Sequence, residues 1–191
     1  RSGGRILLDG KVVDYHSPSQ ATAHGIGMLY QEPQDFPPLS VLENFMIGRD
    51  SHAHGKRGQQ RKRLQRLADE AHFDLHPDQR VEKLTIGERQ QLELLRLLGR
   101  DARILILDEP TTGISERQKA RLFQALWQIR DQGRTILLVS HKLDEVESLS
   151  DRVAVLRQGL LVGEEDAPFH IPRLLQLMFK SAPSAIEARR S

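Results

Sequence analysis

Ala102-Arg103-Ile104-Leu105-Ile106-Leu107-Asp108-Glu109-Pro110 decides how this chain is read. The apolar run from Ile104 to Leu107 leads straight into two adjacent carboxylates and a proline. A run this short, rich in Ile and Leu, predicts a strand buried on both faces, as in a parallel sheet covered by helices. Pro110 disfavours helical geometry at Glu109, so the strand is expected to stop at the carboxylates. In open α/β sheets ligands sit beyond the carboxyl ends of the strands. Two acids delivered there suit a hydrated metal ion and a water to be activated. The run alone is also compatible with a strand end followed by an acidic helix cap.

Composition sets outer bounds. With 191 residues the chain can form one large or two small domains. The excess of 28 basic over 26 acidic residues, +2, is too small to argue for nucleic acid. The absence of cysteine excludes disulfides and thiolate metal sites and fits a reducing compartment. No apolar run approaches the roughly 20 residues of a membrane-spanning helix. The first residues show no signal-peptide pattern. Any membrane role is therefore expected to come through a partner.

Outward from the opening stretch, the chain resolves into periodic segments. Arg5 to Val13 predicts a β-hairpin, with Asp9-Gly10 supplying the positive φ angles of a tight turn. Ser17-Pro18-Ser19-Gln20 opens a short helix that Gly25 can close, and Ile26 to Tyr30 is a second apolar run ending at Gln31. Residues 32–50 hold three prolines, followed by a helix capped by Ser40 with Glu43 at its third position. From Gly55 to Arg66 the chain is strongly basic. A solvated helix face is favoured over a nucleic-acid patch, because Leu64, Leu67, Ala68 and Ala71 recur at helical spacing and no aromatics interleave the charges.

Residues 84–98 predict a helix with an apolar stripe at Leu92, Leu94, Leu95 and Leu98, capped by Thr85 with Glu88 at its third position. Gly87 there lets a phosphate approach free amides and the positive end of the dipole. After Glu109 the chain turns through Thr111-Thr112-Gly113 into a helix capped by Ser115 and Gln118. Thr135 to Val139 is a third apolar strand, ending at Ser140-His141. A short helix, a hairpin turning at Gln158-Gly159 and a final helix near Arg173–Phe179 complete the chain.

Three apolar strands thus end at residues suited to phosphate chemistry: Gln31, the Asp108/Glu109 pair, and His141. In a parallel sheet such ends lie side by side. Hydrolysis of a nucleoside triphosphate requires a metal, a group that orients water, and a sensor of the terminal phosphate. Asp108 can hold the Mg²⁺ shell, Glu109 can polarise the water, His141 can contact the γ-phosphate, and Gln31 can touch both metal and water.

With these motifs in this order, the chain resembles the nucleotide-binding domain of an ABC transporter over residues 1–163. Leu84-Thr85-Ile86-Gly87-Glu88 is similar to the family's LSGGQ signature, and Ile104 to Glu109 resembles its Walker B strand and catalytic glutamate. Gln31 resembles its Q-loop and His141 its switch histidine. The Ile-Gly-Glu form of the signature and the Glu-Pro-Thr-Thr sequence look most like the ATPases of simple-sugar and nucleoside importers. Ser115 stands where the family often has the aspartate of its D-loop, which puts the cross-dimer contact there in doubt. No G-x-x-x-x-G-K-[ST] phosphate loop occurs, so the chain is expected to begin after it and to lack the strand leading into it.

The resemblance implies an α/β, P-loop NTPase-like fold: a mostly parallel sheet with flanking helices and an inserted α-helical subdomain, without the Walker A strand. Its parts would be residues 1–33 of the ATPase core, the helical signature subdomain 34–98, the core with Walker B and switch histidine 99–165, and a tail 166–191. It implies ATP and Mg²⁺ as cofactors, with Asp108 and Gln31 at the metal and Glu109 and His141 catalytic. Gln31, Leu84, Thr85, Ile86, Gly87, Glu88 and Ser115 would contact nucleotide.

Implied partners are a second nucleotide-binding domain, as a dimer or tandem half, and transmembrane permease subunits reached through residues 32–50. No nucleic acid is expected, and the location implied is the cytoplasmic face of the cell membrane. The function implied is the ATP-hydrolysing subunit of an importer of a small solute, a sugar or a nucleoside. Two alternatives stay open: a ribosome-associated ABC ATPase, supported by the basic run 56–66, and a non-catalytic truncated domain. Chromosome-type members are disfavoured because residues 32–83 lack sustained heptads. A sheet without its central strand would expose edges flanking a gap, so this polypeptide alone is expected to bind ATP poorly and to aggregate.

Overall fold

The computed structural model describes residues 4–48 and 56–179. Two compact units are present, Arg1–Val139 and Ser140–Ser191. In the first, β1 (Ile6–Leu8) and β2 (Lys11–Val13) form an antiparallel hairpin, with φ of 50° at Asp9 and 75° at Gly10. Next come α1 (Pro18–Ala23), capped by Ser17, and β3 (Ile26–Leu29). Then α2 (Val41–Met46) starts at a capping box of Ser40 and Glu43. It is followed by α3 (Arg57–Glu70), α4 (Ile86–Gly99), β4 (Ile104–Asp108), α5 (Glu116–Asp131) and β5 (Thr135–Val139). The second unit holds α6 (Leu143–Leu149), the antiparallel pair β6 (Arg152–Arg157) and β7 (Leu160–Asp166), and α7 (Ile171–Met178) against β6.

The expected parallel sheet is present, in the order β3-β4-β5. Leu29 lies opposite Leu107, and Leu107 opposite Leu138. Two expectations change. The opening strand is not buried on both faces: Leu105 and Leu107 are wholly buried, but Ile104, Ile106 and Asp108 are only half-buried. On β5, Leu137 and Val139 are 55% and 48% exposed. Helices cover one face of these strands, and the described residues leave the other partly open. Nor does a gap interrupt the three strands. The edges unpaired among the described residues are the outer sides of β3 and β5, because residues 104–107 find partners on both sides.

The core centres on α4, which packs against β3, α2, α3 and α5. Its leucine stripe is there, but burial runs all round the helix, so Gln90, Gln91, Glu93 and Arg96 are buried beside Leu92, Leu94, Leu95 and Leu98. Each fully buried leucine contributes about 1.5–3 kcal/mol. The basic run lies on α3, with Gly55 outside the described residues. Leu64, Leu67 and Ala68 are its buried face. Its arginines are matched by carboxylates: Arg57 with Glu43 at 3.7 Å, Arg61 with Asp78 at 2.6 Å, Arg63 with Asp101 at 2.7 Å and Arg66 with Glu70 at 3.8 Å. A helix neutralised in this way is a solvated face.

Candidate functional site

The carboxyl ends of β3, β4 and β5 share one edge of the sheet. Gln31 follows the last residue of β3 by two and is exposed. Asp108 ends β4, pairs in register with Val139, and is half-buried, as is Glu109. Glu109 does not take the extended backbone expected before a proline. Its φ is 47°, in the left-handed region, which costs a non-glycine residue about 1–2 kcal/mol. Hydrogen bonds on both sides hold it there: its N–H donates to the Val139 carbonyl at 2.9 Å, and its carbonyl accepts from the Thr112 N–H at 3.1 Å. The ladder thus runs one residue past β4 and then turns sharply, with Pro110 and Thr111 buried behind. Strain of this kind is typical where a side chain must be aimed.

His141 belongs to the second unit, two residues after the end of β5. It is exposed, and the chain on either side of it is braced. Ser140 Oγ donates to Glu145 Oε2 at 3.0 Å and accepts from the Lys142 N–H at 3.1 Å. Lys142 Nζ lies 3.2 Å from Glu145 Oε1, and Glu145 is fully buried.

At the signature stretch Leu84 is buried and Thr85 caps α4 as expected. Glu88 Oε2 accepts from the Thr85 N–H at 2.7 Å and from its hydroxyl at 2.8 Å, and Thr85 Oγ1 accepts from the Glu88 N–H at 3.3 Å. No acceptor for the amides of Ile86 and Gly87 is found among the described residues, which leaves the positive end of a 14-residue helix available. Ile86 is 52% exposed beside it. Ser115 caps α5 with Gln118, so capping alone accounts for the serine at that position.

Sequence reasoning missed a buried cluster of charges joining α4 to the segment after Gln31. Arg96 Nη1 donates to the Gln34 carbonyl at 2.8 Å and is paired with Glu93; both side chains are about a tenth exposed. Arg89 lies 3.5 Å from Asp35, whose side chain is 3% exposed. Arg100 Nη2 donates to the Ile47 carbonyl at 2.7 Å. Buried Asn44 completes the grip, accepting from the Phe36 N–H and donating to the Phe36 carbonyl. Burial raises Asp35 and Glu93 above the ordinary carboxylate range, opposed for Asp35 by Arg89 and Arg96 and for Glu93 chiefly by Arg96. Burial likewise lowers Arg100. The legible signal was the recurrence of 89, 93, 96 and 100 at helical spacing with mixed sign, which reads as a solvated face unless α4 is known to be central.

The sequence profile of the ABC transporter family matches residues 1–112. The chain belongs to the ABC transporter family. Ribose import ATP-binding protein RbsA 2 of Escherichia coli O157:H7 is 42% identical over 165 residues, 85% of this chain and 32% of that protein. Arabinose import ATP-binding protein AraG 1 of Burkholderia cenocepacia (strain HI2424) is 38% identical over 173 residues, 89% of this chain and 34% of that protein. The chain therefore spans about a third of the length of these relatives. A nucleotide-free ATP-binding cassette from an ABC transporter shares the fold with a TM-score of 0.78 at 20% identity, over 92% of this chain and 74% of that one. This ABC-family chain has the α/β architecture of such cassettes, with a parallel sheet flanked by helices.

Proposed function

We propose that this chain is part of the ATP-hydrolysing subunit of an importer of a small sugar, and that Gln31, Asp108, Glu109 and His141 carry its phosphate chemistry. The observation that supports this best is the Asp108/Glu109 pair at the carboxyl edge of a parallel sheet, in a family member similar to ribose and arabinose import ATP-binding proteins. Among the described residues no group of three or more His, Asp or Glu could hold a metal by itself. Mg²⁺ usually binds through one or two carboxylates plus substrate phosphates and waters. Asp108, with the Gln31 amide, fits such a role. When bound, the ion neutralises charge on the transferring phosphoryl group.

Glu109 then orients the attacking water by accepting its hydrogen bond, from a backbone held by Val139 and Thr112. His141 contacts the terminal phosphate. Thr85 faces nucleotide held by a second nucleotide-binding domain, with the amides of Ile86 and Gly87 next to it and Leu84 and Glu88 on either side, and Ser115 lines that interface. No G-x-x-x-x-G-K-[ST] is present in the 191 residues, and the chain by itself is inactive in this reading. Permease subunits are the membrane partner and place the subunit at the cytoplasmic face; no helix among the described residues is long and apolar enough to cross a membrane. The carboxylates beside Arg57, Arg61, Arg63 and Arg66 on α3 favour the importer reading over a ribosomal one.

The test is Glu109→Gln in the parent protein. ATP turnover should be abolished while nucleotide binding persists; substantial remaining hydrolysis would show that Glu109 is not the catalytic group.

A further inference from the structure

The capping boxes that open α4 and α5 are not independent. Gln118 Oε1 accepts from the Ser115 N–H and hydroxyl, both at 3.0 Å, and closes the α5 box. Its other amide atom, Nε2, leaves that helix and donates to Thr85 Oγ1 at 2.9 Å, 33 residues away in sequence. The same amide lies against the signature glycine. A Cβ built on Gly87 would stand 2.5 Å from Gln118 Cδ and 2.7 Å from Nε2, closer than real contacts come. A side chain at position 87 would therefore have to displace the Gln118 amide, the far end of a flexible side chain, from the Thr85 hydroxyl.

A threonine hydroxyl has one proton to donate and two lone pairs. In Thr85 all three are used: the proton goes to Glu88 Oε2, and the lone pairs accept from the Glu88 N–H and from Gln118. A phosphate oxygen can gain the hydroxyl proton only by displacing Glu88, while Gln118 and the helix amide keep the oxygen in place.

We propose that Gln118 is a positioning residue for the signature, holding the Thr85 oxygen still while its hydroxyl turns its hydrogen bond from Glu88 to an incoming phosphate. The proposal rests on the reading that Thr85 faces nucleotide. It makes the starts of α4 and α5 one rigid piece, so that a change at Thr111–Ser115 is felt at the signature.

The test uses the full-length parent protein with three variants, Gln118→Ala, Gly87→Ala and the double. In thermal melting, Gly87→Ala should destabilise the wild type by displacing the amide from Thr85, and should cost less in the Gln118→Ala background, where the amide that meets the new methyl is gone. In ATP hydrolysis, Gln118→Ala should raise KM for ATP roughly 3- to 10-fold, the value of one hydrogen bond, with kcat within about twofold. Gln118→Glu, which still completes the α5 box but sets a second carboxylate on the Thr85 hydroxyl, should recover melting without recovering KM. An equal cost of Gly87→Ala in both backgrounds, or an unchanged KM in an active protein carrying Gln118→Ala, overturns the proposal. A wild-type protein with no ATP turnover overturns the nucleotide reading, and this role with it.

Discussion

Arg96→Met removes the guanidinium at the centre of the buried charge cluster and keeps most of the aliphatic stem. Two losses follow. The Gln34 carbonyl loses a charged donor at 2.8 Å, a bond worth about 1.5–3 kcal/mol. Glu93, whose side chain is 9% exposed, loses its counter-charge; breaking a buried pair from one side costs about 3–5 kcal/mol. The losses overlap, because Glu93 can take up a proton and lessen the second, so the total is expected near 4 kcal/mol. That is a large share of the roughly 5–15 kcal/mol that holds a domain folded. The control is Arg96→Met with Glu93→Leu. With both charges gone no carboxylate is stranded, and only the Gln34 carbonyl is left bare, about 1–3 kcal/mol. Urea denaturation of wild type, single and double variants should therefore rank the double above the single. A single variant losing under about 1 kcal/mol, or a double no more stable than the single, would refute the view that this pair holds residues 34–35 to α4.

Three further outcomes are expected. Burial raises Asp35 above its ordinary 3.8, so the folded state keeps a proton that the unfolded chain gives up; the stabilisation is full below that ordinary value and fades as pH rises through the raised one. Asp35→Asn should flatten this decline in denaturation curves taken across weakly acidic pH, and an unchanged slope would count against it. Phe36, 52% exposed, and Leu39 should serve coupling to the permease, so Phe36→Ala or Leu39→Ala should lower transport while ATP hydrolysis continues; unaffected transport refutes this. The 191-residue chain alone, with Leu137 and Val139 exposed on edge strand β5, should bind ATP poorly and aggregate, and monomeric material with micromolar affinity in a titration would show otherwise.

The local chemistry of the fold was legible wherever one short segment determines the outcome. The Asp9-Gly10 turn, the caps at Ser17, Ser40, Thr85 and Ser115, and the three parallel strands all stand where residue type and spacing put them. What stayed hidden depends on which element becomes central. Glu93 and Arg96 lie on a helix whose leucines predicted one buried face, and only packing of α2, α3, α5 and β3 around α4 turns those charges inward. The left-handed backbone of Glu109 was hidden for a related reason: the pre-proline rule is local, whereas the hydrogen bond to Val139 comes from a strand about thirty residues later. The Gln118 link to Thr85 is of the same kind.

These long-range contacts converge on one piece of backbone. The signature stands at the start of α4, Arg96 in its middle, paired with Glu93, grips the chain three residues past Gln31, and its end runs through Asp101 and Ala102 into β4, which delivers Asp108. An apolar seam at Arg96 would bury as much surface, yet it could slide along α4 with little penalty, since leucine contacts have no fixed partner atom. A guanidinium bound to one named carbonyl cannot. A shift of residues 34–35 must therefore drag α4 or break a buried ion pair.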